Sequence, residues 1–363
     1  SWPGPAGDPE SIGEGIRDAV VLEVWREALN GFQVPHELID PALGGPDTTE
    51  RMHTAMRFRL VRMGPDDTCH NLNLYADEDG LGRLRATLAP AEIIDGDCPV
   101  EAGGGYVGFE HALYRIEIAA VDSGEAMFKW SSFNGGLVGR GRREVSGSDT
   151  QFVITANSAA ITTSGLDTFY LEVVEYDAAL GHWRVSYGAE VLRSEDVLEV
   201  TSERYNRPVP GAPAERVFFR LWNGIRPLAD FPEAADPNEL RDGIRLAFED
   251  AGAATYRAGD YWTFPLRAGD ITNPETLVDA ERPEGPRYHR VPLAELHWNA
   301  NADITVAAGA IEDCRDVFQP LAGAKGCCTY SVGDGVHSRG DFRSIAEALR
   351  HLPESGGRIC VLP

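Results

Sequence analysis

The chain has 363 residues, enough for two or three domains that each bury a core, and its 43% hydrophobic and 25% charged content is that of an ordinary globular chain. Thirty-nine glycines and 23 prolines among short apolar runs point to an all-β class rich in turns. A formal net charge of −24, with only two lysines (Lys129 and Lys325) among 33 basic residues, argues against nucleic-acid backbones and anionic membrane surfaces, which need clustered positive charge.

Residues 1–18 read as an irregular, Gly/Pro/acid-rich lead-in. Ala19 to Trp25 alternates as a strand, with Val20, Leu22 and Val24 on one face and Val21, Glu23 and Trp25 on the other. Residues 41–51 carry the turn chemistry of Gly44-Gly45-Pro46-Asp47. Met56, Phe58, Leu60 and Met63 against Arg57, Arg59 and Arg62 then read as a half-exposed strand, and a short strand is expected around Leu84 to Leu88. Tyr114–Val121 and Ala126–Ser132, joined through Asp122-Ser123-Gly124, make the clearest hairpin. Residues 149–205 hold four further strand patterns: 152–156, 169–176, 182–187 and 197–205. Gly141-Arg142-Arg143 with Ser146-Gly147-Ser148 on one side, and Pro208 to Pro213 on the other, read as linkers around a small barrel. Strands are again expected near Val217–Trp222, within Gly243–Glu249 and near Tyr256–Arg267. Residues 268–290 read as a polar loop, 304–309 as part of a last strand pair, and 311–321 as a short helix or irregular cover.

The final stretch, Cys327 to Pro363, holds a strand pattern at Tyr330–Val332, a Gly/Asp turn, a helix expected from Asp341 to Leu352, and a second strand pattern from Ile359. Phe342, Ile345, Leu349 and Leu352 recur at helical spacing, with Asp341 or the glycine before it as cap. The expected division is therefore 1–148 and 214–326 as a β-rich head, 149–213 as an inserted small β-barrel, and 327–363 as the start of a further module. With Ser1 rather than Met at one end and an unfinished strand at the other, the chain is expected to be excised from a longer one that continues as a β-helix.

Chemical candidates each have a structural rival. Asp77-Glu78-Asp79-Gly80 looks like part of a calcium loop but lacks the spaced ligands of an EF-hand, so a solvated turn is favoured. Cys327, Cys328, His337 and Cys360 offer zinc-ligand atoms without any C-x-x-C spacing. For the six cysteines, free buried thiols are favoured over one or two disulfides (Cys69 with Cys98 among the possibilities) and over metal. Glu110, Glu117, Asp260 and Asp313 are carboxylates that a glycosidase would pair in a groove, and His111 lies beside Glu110; backbone-bonding roles at turns and bulges are favoured. Trp25, Trp130, Trp222, Tyr261 and Trp262 are either core or a sugar-stacking platform, with core favoured. Gly103-Gly104-Gly105 precedes a strand, not a helix, so it is no phosphate cradle, and no G-x-S-x-G, H-E-x-x-H or Walker motif occurs. No residue is assigned a catalytic, cofactor-binding or metal-binding role.

The order VGDG, then GDFxSIxEAL, then SGGxxCVLP resembles the entry of a right-handed parallel β-helix of the pectin-lyase-like type, in which a helix caps the open end of the solenoid. Residues 20–27, 40–51, 103–118, 127–136, 220–228, 256–267 and 312–321 together resemble a bacterial family that places a β-rich head before such a β-helix. Its members are often encoded beside components of phage-tail-like contractile particles. Where those relatives carry an Asn near the end of the Gly-Gly-Tyr motif, this chain has His111. The resemblance implies a mainly β fold and a structural or attachment role in a tail-like particle or surface fibre, particle-associated or extracellular. It implies protein-assembly partners, with a surface glycan as a further candidate, no nucleic acid, no membrane insertion, and a homo-oligomeric, trimeric rod. It implies no activity; the rival expectations are a polysaccharide lyase or hydrolase with its chemistry on the β-helix, and a secreted carbohydrate-binding protein.

Overall fold

The computed structural model of the chain describes residues 15–39, 42, 50–75, 81–90, 92–94, 100–102, 104–108, 111–122, 124–147, 149–212, 216–234, 237–249, 256–267, 276–298, 310–315, 328–336, 338, 340–353 and 356–362. They divide into two compact units, Ser1–Asp313 and Cys314–Pro363.

The larger unit is built from strands. In chain order they are β1 (Arg17–Leu29), β2 (Arg51–Arg62), β3 (Leu84–Leu88), β4 (Glu92–Ile94), β5 (Val100–Ala102), β6 (Ala112–Ile118), β7 (Met127–Ser131), β8 (Leu137–Ser146), β9 (Asp149–Ala156) and β10 (Thr168–Asp177). There follow β11 (His182–Ser194), β12 (Val197–Asn206), β13 (Val217–Trp222), β14 (Gly224–Pro227), β15 (Asn238–Arg241), β16 (Ile244–Phe248), β17 (Tyr261–Leu266), β18 (Thr276–Glu281), β19 (His289–His297) and β20 (Ile311–Asp313). Two short helices, α1 (Pro35–Leu38) and α2 (Ser158–Thr163), interrupt them.

The topology is nested. β1 and β2 pair with β19 and β20 from the far end of the unit in one sheet, order β2-β1-β19-β20. Inside that closure, two four-stranded sheets, β14-β7-β6-β17 and β15-β16-β3-β18, face each other as a sandwich. Their shared core includes Leu84, Leu88, Leu246 and Phe248 from one sheet and Tyr114, Ile116, Phe128, Trp262 and Phe264 from the other. Inside the sandwich, between sheet neighbours β7 and β14, the chain runs out into a closed six-stranded barrel, β10-β11-β12-β9-β8-β13. Phe152, Leu171, Tyr187, Leu198, Phe219 and their neighbours fill it.

The fold is mainly β, with sandwich and barrel parts, as the density of alternating runs requires. The hairpin of β6 and β7 pairs Ile118 with Phe128 and Glu117 with Lys129. Several expectations need correction. The barrel draws β8 and β13 from outside residues 149–213, and Gly141-Arg142-Arg143 is strand, not linker. A Cβ on Gly141 would sit 2.7 Å from the Val153 carbonyl oxygen, and one on Gly139 would sit 2.7 Å from the Phe219 ring. These glycines mark close packing of the barrel wall, which in sequence looks like a flexible joint. Thr276–Glu281 forms β18 inside the expected polar loop, and Ile311–Asp313 forms an edge strand where a helix or cover was expected. Residues 304–309 lie outside the described residues.

The smaller unit contains β21 (Tyr330–Val332), α3 (Ile345–Arg350) and β22 (Ile359–Val361). β21 and β22 are parallel, with Tyr330 opposite Ile359 and Val332 opposite Val361. The helix is shorter than the expected span from Asp341 to Leu352. Asp341 is drawn to the strand instead of the helix, accepting bonds from the Ser331 amide and hydroxyl at 2.9 Å each, while the Phe342 amide donates to Ser331 O. Ser344 therefore becomes the cap, accepting from the Glu347 amide at 3.2 Å in the Ser-x-x-Glu spacing of a capping box. Cys328 and Cys360 form a disulfide, contrary to the free-thiol expectation, and so are not available as zinc ligands.

Candidate functional site

The outer sheet of the larger unit is inverted relative to the usual pattern of apolar inside and polar outside. Period-2 alternation puts Val21, Glu23 and Trp25 of β1 on the buried face and Leu22 and Val24 on the other. Register carries that outer face across the sheet: Leu22 stands opposite Phe58 and Val291, and Val24 opposite Met56. The result is an apolar face open to solvent, with Met52 64%, Met56 51%, Phe58 49% and Val291 48% exposed.

The opposite face buries charge. Glu23 is fully buried and takes Arg57 Nε at 2.5 Å, Arg290 Nε at 2.8 Å and Arg59 Nη1 at 3.1 Å. Burial pushes its carboxyl up, but Arg57 and Arg290 together outweigh that and hold it below the usual carboxylate range. Arg290 also donates Nη1 to Leu74 O at 2.7 Å, tying loop 64–75 under the sheet. Trp25 packs edge-on to His182 at 5.0 Å and Tyr288 at 5.5 Å. At the far end of β1, Asp18 accepts from Arg62 Nε at 2.6 Å and Trp298 Nε1 at 2.7 Å. The charges inside are paired and hydrogen-bonded, which is the condition under which burial is tolerated. They fix the sheet's orientation and leave its apolar side outward.

A second buried charge cluster sits where the barrel leaves the sandwich. Lys129 of β7 is 2% exposed and bridges Glu117 Oε1 at 2.9 Å and Glu172 Oε2 of barrel strand β10. Trp222 Nε1 donates to the same Glu172 oxygen at 2.9 Å, and the Lys129 ammonium lies 4.5 Å from the Trp222 ring. Burial raises Glu117, but Arg115 and Lys129 lower it further, so its carboxyl lies below the ordinary range. Among the described residues the other Glu172 oxygen and the Tyr170 hydroxyl are buried without a hydrogen-bond partner.

A cavity of about 710 Å³ opens between the barrel's outer wall and the segment around α1. Phe218, Val174, Tyr176 and Trp183 line it, the last two with ring centroids 5.8 Å apart. Arg140 and Arg216 reach it together; Arg140 donates to the carbonyls of Phe32 and Gln33, and burial together with the Arg216 charge lowers its basicity. Glu37 and Glu175 also line it, whereas Asp177 is engaged by Arg184 at 2.8 Å.

The structure disperses the sequence candidates. Glu117 is in the Lys129 cluster, and Asp260 is buried at a turn, accepting from the Arg257 amide at 3.0 Å. His111 and Asp313 are exposed on separate elements. Trp25, Trp130, Trp222 and Trp262 are buried core, with Trp262 Nε1 bonded to Glu281 O at 2.8 Å. Tyr261 is half-buried beneath the Arg115 guanidinium, 3.7 Å from its ring centre. Asp77 to Gly80, Cys98, Gly103, Glu110, Cys327 and His337 lie outside the described residues. Sequence reasoning missed the inverted sheet and the Lys129 cluster. A signal for the second was present: one of two lysines, centred in an apolar run and directly across the hairpin from Glu117. No protein-family model, curated protein or solved structure matches the chain.

Proposed function

We propose that the chain is a structural attachment module of a phage-tail-like contractile particle or a similar surface fibre, docking through its outer sheet and carrying a β-helical rod. The observation that carries this reading is the solvent-facing apolar surface of β1, β2 and β19, since contiguous exposed apolar area of this kind marks interaction surfaces. The parallel β21–β22 pair supports the rod. Parallel pairing is what stacked solenoid coils use, and Ile345 and Leu349 of α3 remain half exposed, as a cap awaiting a coil requires. The test is assembly. Met56→Asp with Phe58→Asp changes two exposed side chains and should leave the circular dichroism spectrum and melting transition intact. Particles assembled with the double variant should lose this subunit, and retention at the wild-type level would refute the reading.

The Tyr176 and Trp183 rings of the 710 Å³ cavity, with Arg216, Glu37 and Glu175 beside them as hydrogen-bonding groups, favour a second role, binding a surface glycan. Trp183→Ala should abolish retention on a surface-polysaccharide column, and no retention of the unaltered protein would dispose of that role.

A further inference from the structure

Glu295 and His297 are two apart on β19, so both side chains leave the same face of the sheet. The register of the edge pair places Glu312 of β20 directly opposite Glu295. One carboxylate oxygen from each glutamate and one imidazole nitrogen lie within 4.8 Å of one another, and His297 Nε2 is 3.1 Å from Glu295 Oε1. We propose that Glu295, His297 and Glu312 form a binding site for a borderline divalent transition-metal ion of the zinc class.

The spacing is close to what such an ion needs. With metal–ligand bonds of about 2.0–2.2 Å, neighbouring ligand atoms in a tetrahedral site stand roughly 3.3–3.6 Å apart. At 3.1 Å the Glu295–His297 pair stands a few tenths of an ångström inside that separation, and Glu312, exposed on a short edge strand, brings its carboxylate within 4.8 Å of both. Glu295 shares its charge with Arg17 and Glu312 supplies a second carboxylate, while the imidazole nitrogen favours zinc or cobalt over calcium, magnesium and manganese, which prefer oxygen donors. Glu295 is buried and held in place by Arg17, whose Nη1 donates to Glu295 Oε1 at 2.6 Å. Arg17 is itself oriented by the Gly64, Pro65 and Asp67 carbonyls at 2.7, 3.0 and 3.0 Å. That is the outer-shell support that fixes a ligand carboxylate, and it leaves the exposed side of the site for water. The expected consequence is a metal tie fastening the three-residue β20 to the sheet.

The probes are Zn2+ for calorimetry and Co2+ for its visible absorption, titrated into the chelator-treated full chain, with Mg2+ and Ca2+ as controls. One Zn2+ ion per chain should bind and raise the melting temperature, and Co2+ should show the intense bands of a low-coordinate nitrogen–oxygen site. His297→Ala and Glu312→Gln should each weaken Zn2+ at least about tenfold, in line with losses seen when metal ligation is impaired. Glu312 is exposed, so its variant reports even where the His297 variant is unstable. Absence of Zn2+ binding, binding unchanged in Glu312→Gln, or equal binding of Mg2+ would overturn the proposal.

Discussion

Replacing Lys129 by methionine removes the ammonium that ion-pairs with both Glu117 and Glu172 while keeping most of the side chain's length. Glu117 retains Arg115, at 2.5 Å from its Oε2. Glu172 keeps the Trp222 indole N–H on one oxygen and the charge of Arg220, which stands opposite it in the β10–β13 register, with its other oxygen unbonded among the described residues. Breaking a buried ion pair costs roughly 3–5 kcal/mol, and the remaining Arg220 charge places the expected loss at the lower end of that range. Loss of the ammonium from above the Trp222 ring adds about 0.5–2 kcal/mol. Lys129→Met combined with Glu172→Gln removes the stranded charge together with the cation and should recover at least half of that loss. Urea unfolding of the full chain, followed by tryptophan fluorescence, reads both variants. A cost below about 1 kcal/mol for Lys129→Met, or no recovery in the double variant, would refute the view that buried charge pairing joins barrel and sandwich.

Gly136 begins the barrel insertion at φ +87, where a Cβ would lie 2.6 Å from the Leu221 carbonyl oxygen; Gly136→Ala should cost more than about 1 kcal/mol in the same urea assay. Glu23 and Glu117 have carboxyls held below their ordinary value of 4.5 in the folded state, so their contribution is complete above that pH and is lost as pH falls below it. The urea midpoint should therefore drop between pH 5 and pH 3, and Glu23→Gln, though less stable at pH 7, should show a shallower drop. Cys328→Ser should destabilise the smaller unit by roughly 3–4 kcal/mol, since the disulfide closes a loop of 32 residues; limited proteolysis would report faster cleavage within Cys314–Pro363.

Alternation made the strands legible. β1, β6, β7, β10 and β16 fall where period-2 runs occur, and the β6–β7 hairpin follows from its short turn. Alternation assigns residues to faces but does not say which face turns inward. On β1 and β2 the alternation separated the two faces without choosing between them, and Glu23 with three arginines lies inside because each charge there finds a partner on another strand. Arg290 stands 267 residues from Glu23, and no local pattern announces that contact. The nested closure of β1 against β19 was hidden for the same reason, and the barrel's limits were misread because glycines packed against Phe219 resemble linker glycines. The end of the chain was legible as strand, helix and strand, but Asp341 serves Ser331, which shortened the helix and moved its cap to Ser344. Of the candidate surfaces, Trp25, Trp130, Trp222 and Trp262 were correctly placed in the core and Tyr261 is only half-buried, whereas the Glu295–His297–Glu312 grouping depends on a pairing across two strands that sequence order alone does not bring together.

Hydroxyl-radical footprinting of Met52, Met56 and Phe58 in the isolated chain and in the proposed particle assembly tests the proposed docking surface most directly. All three are about half exposed or more in the chain, so they should oxidise readily when it is free. If the outer sheet docks, their oxidation in the particle should fall at least about tenfold, as burial at an interface core excludes solvent, while exposed Val336 and Val145 on other elements change little. Equal oxidation of Met52, Met56 and Phe58 in the free chain and in the particle would contradict the account.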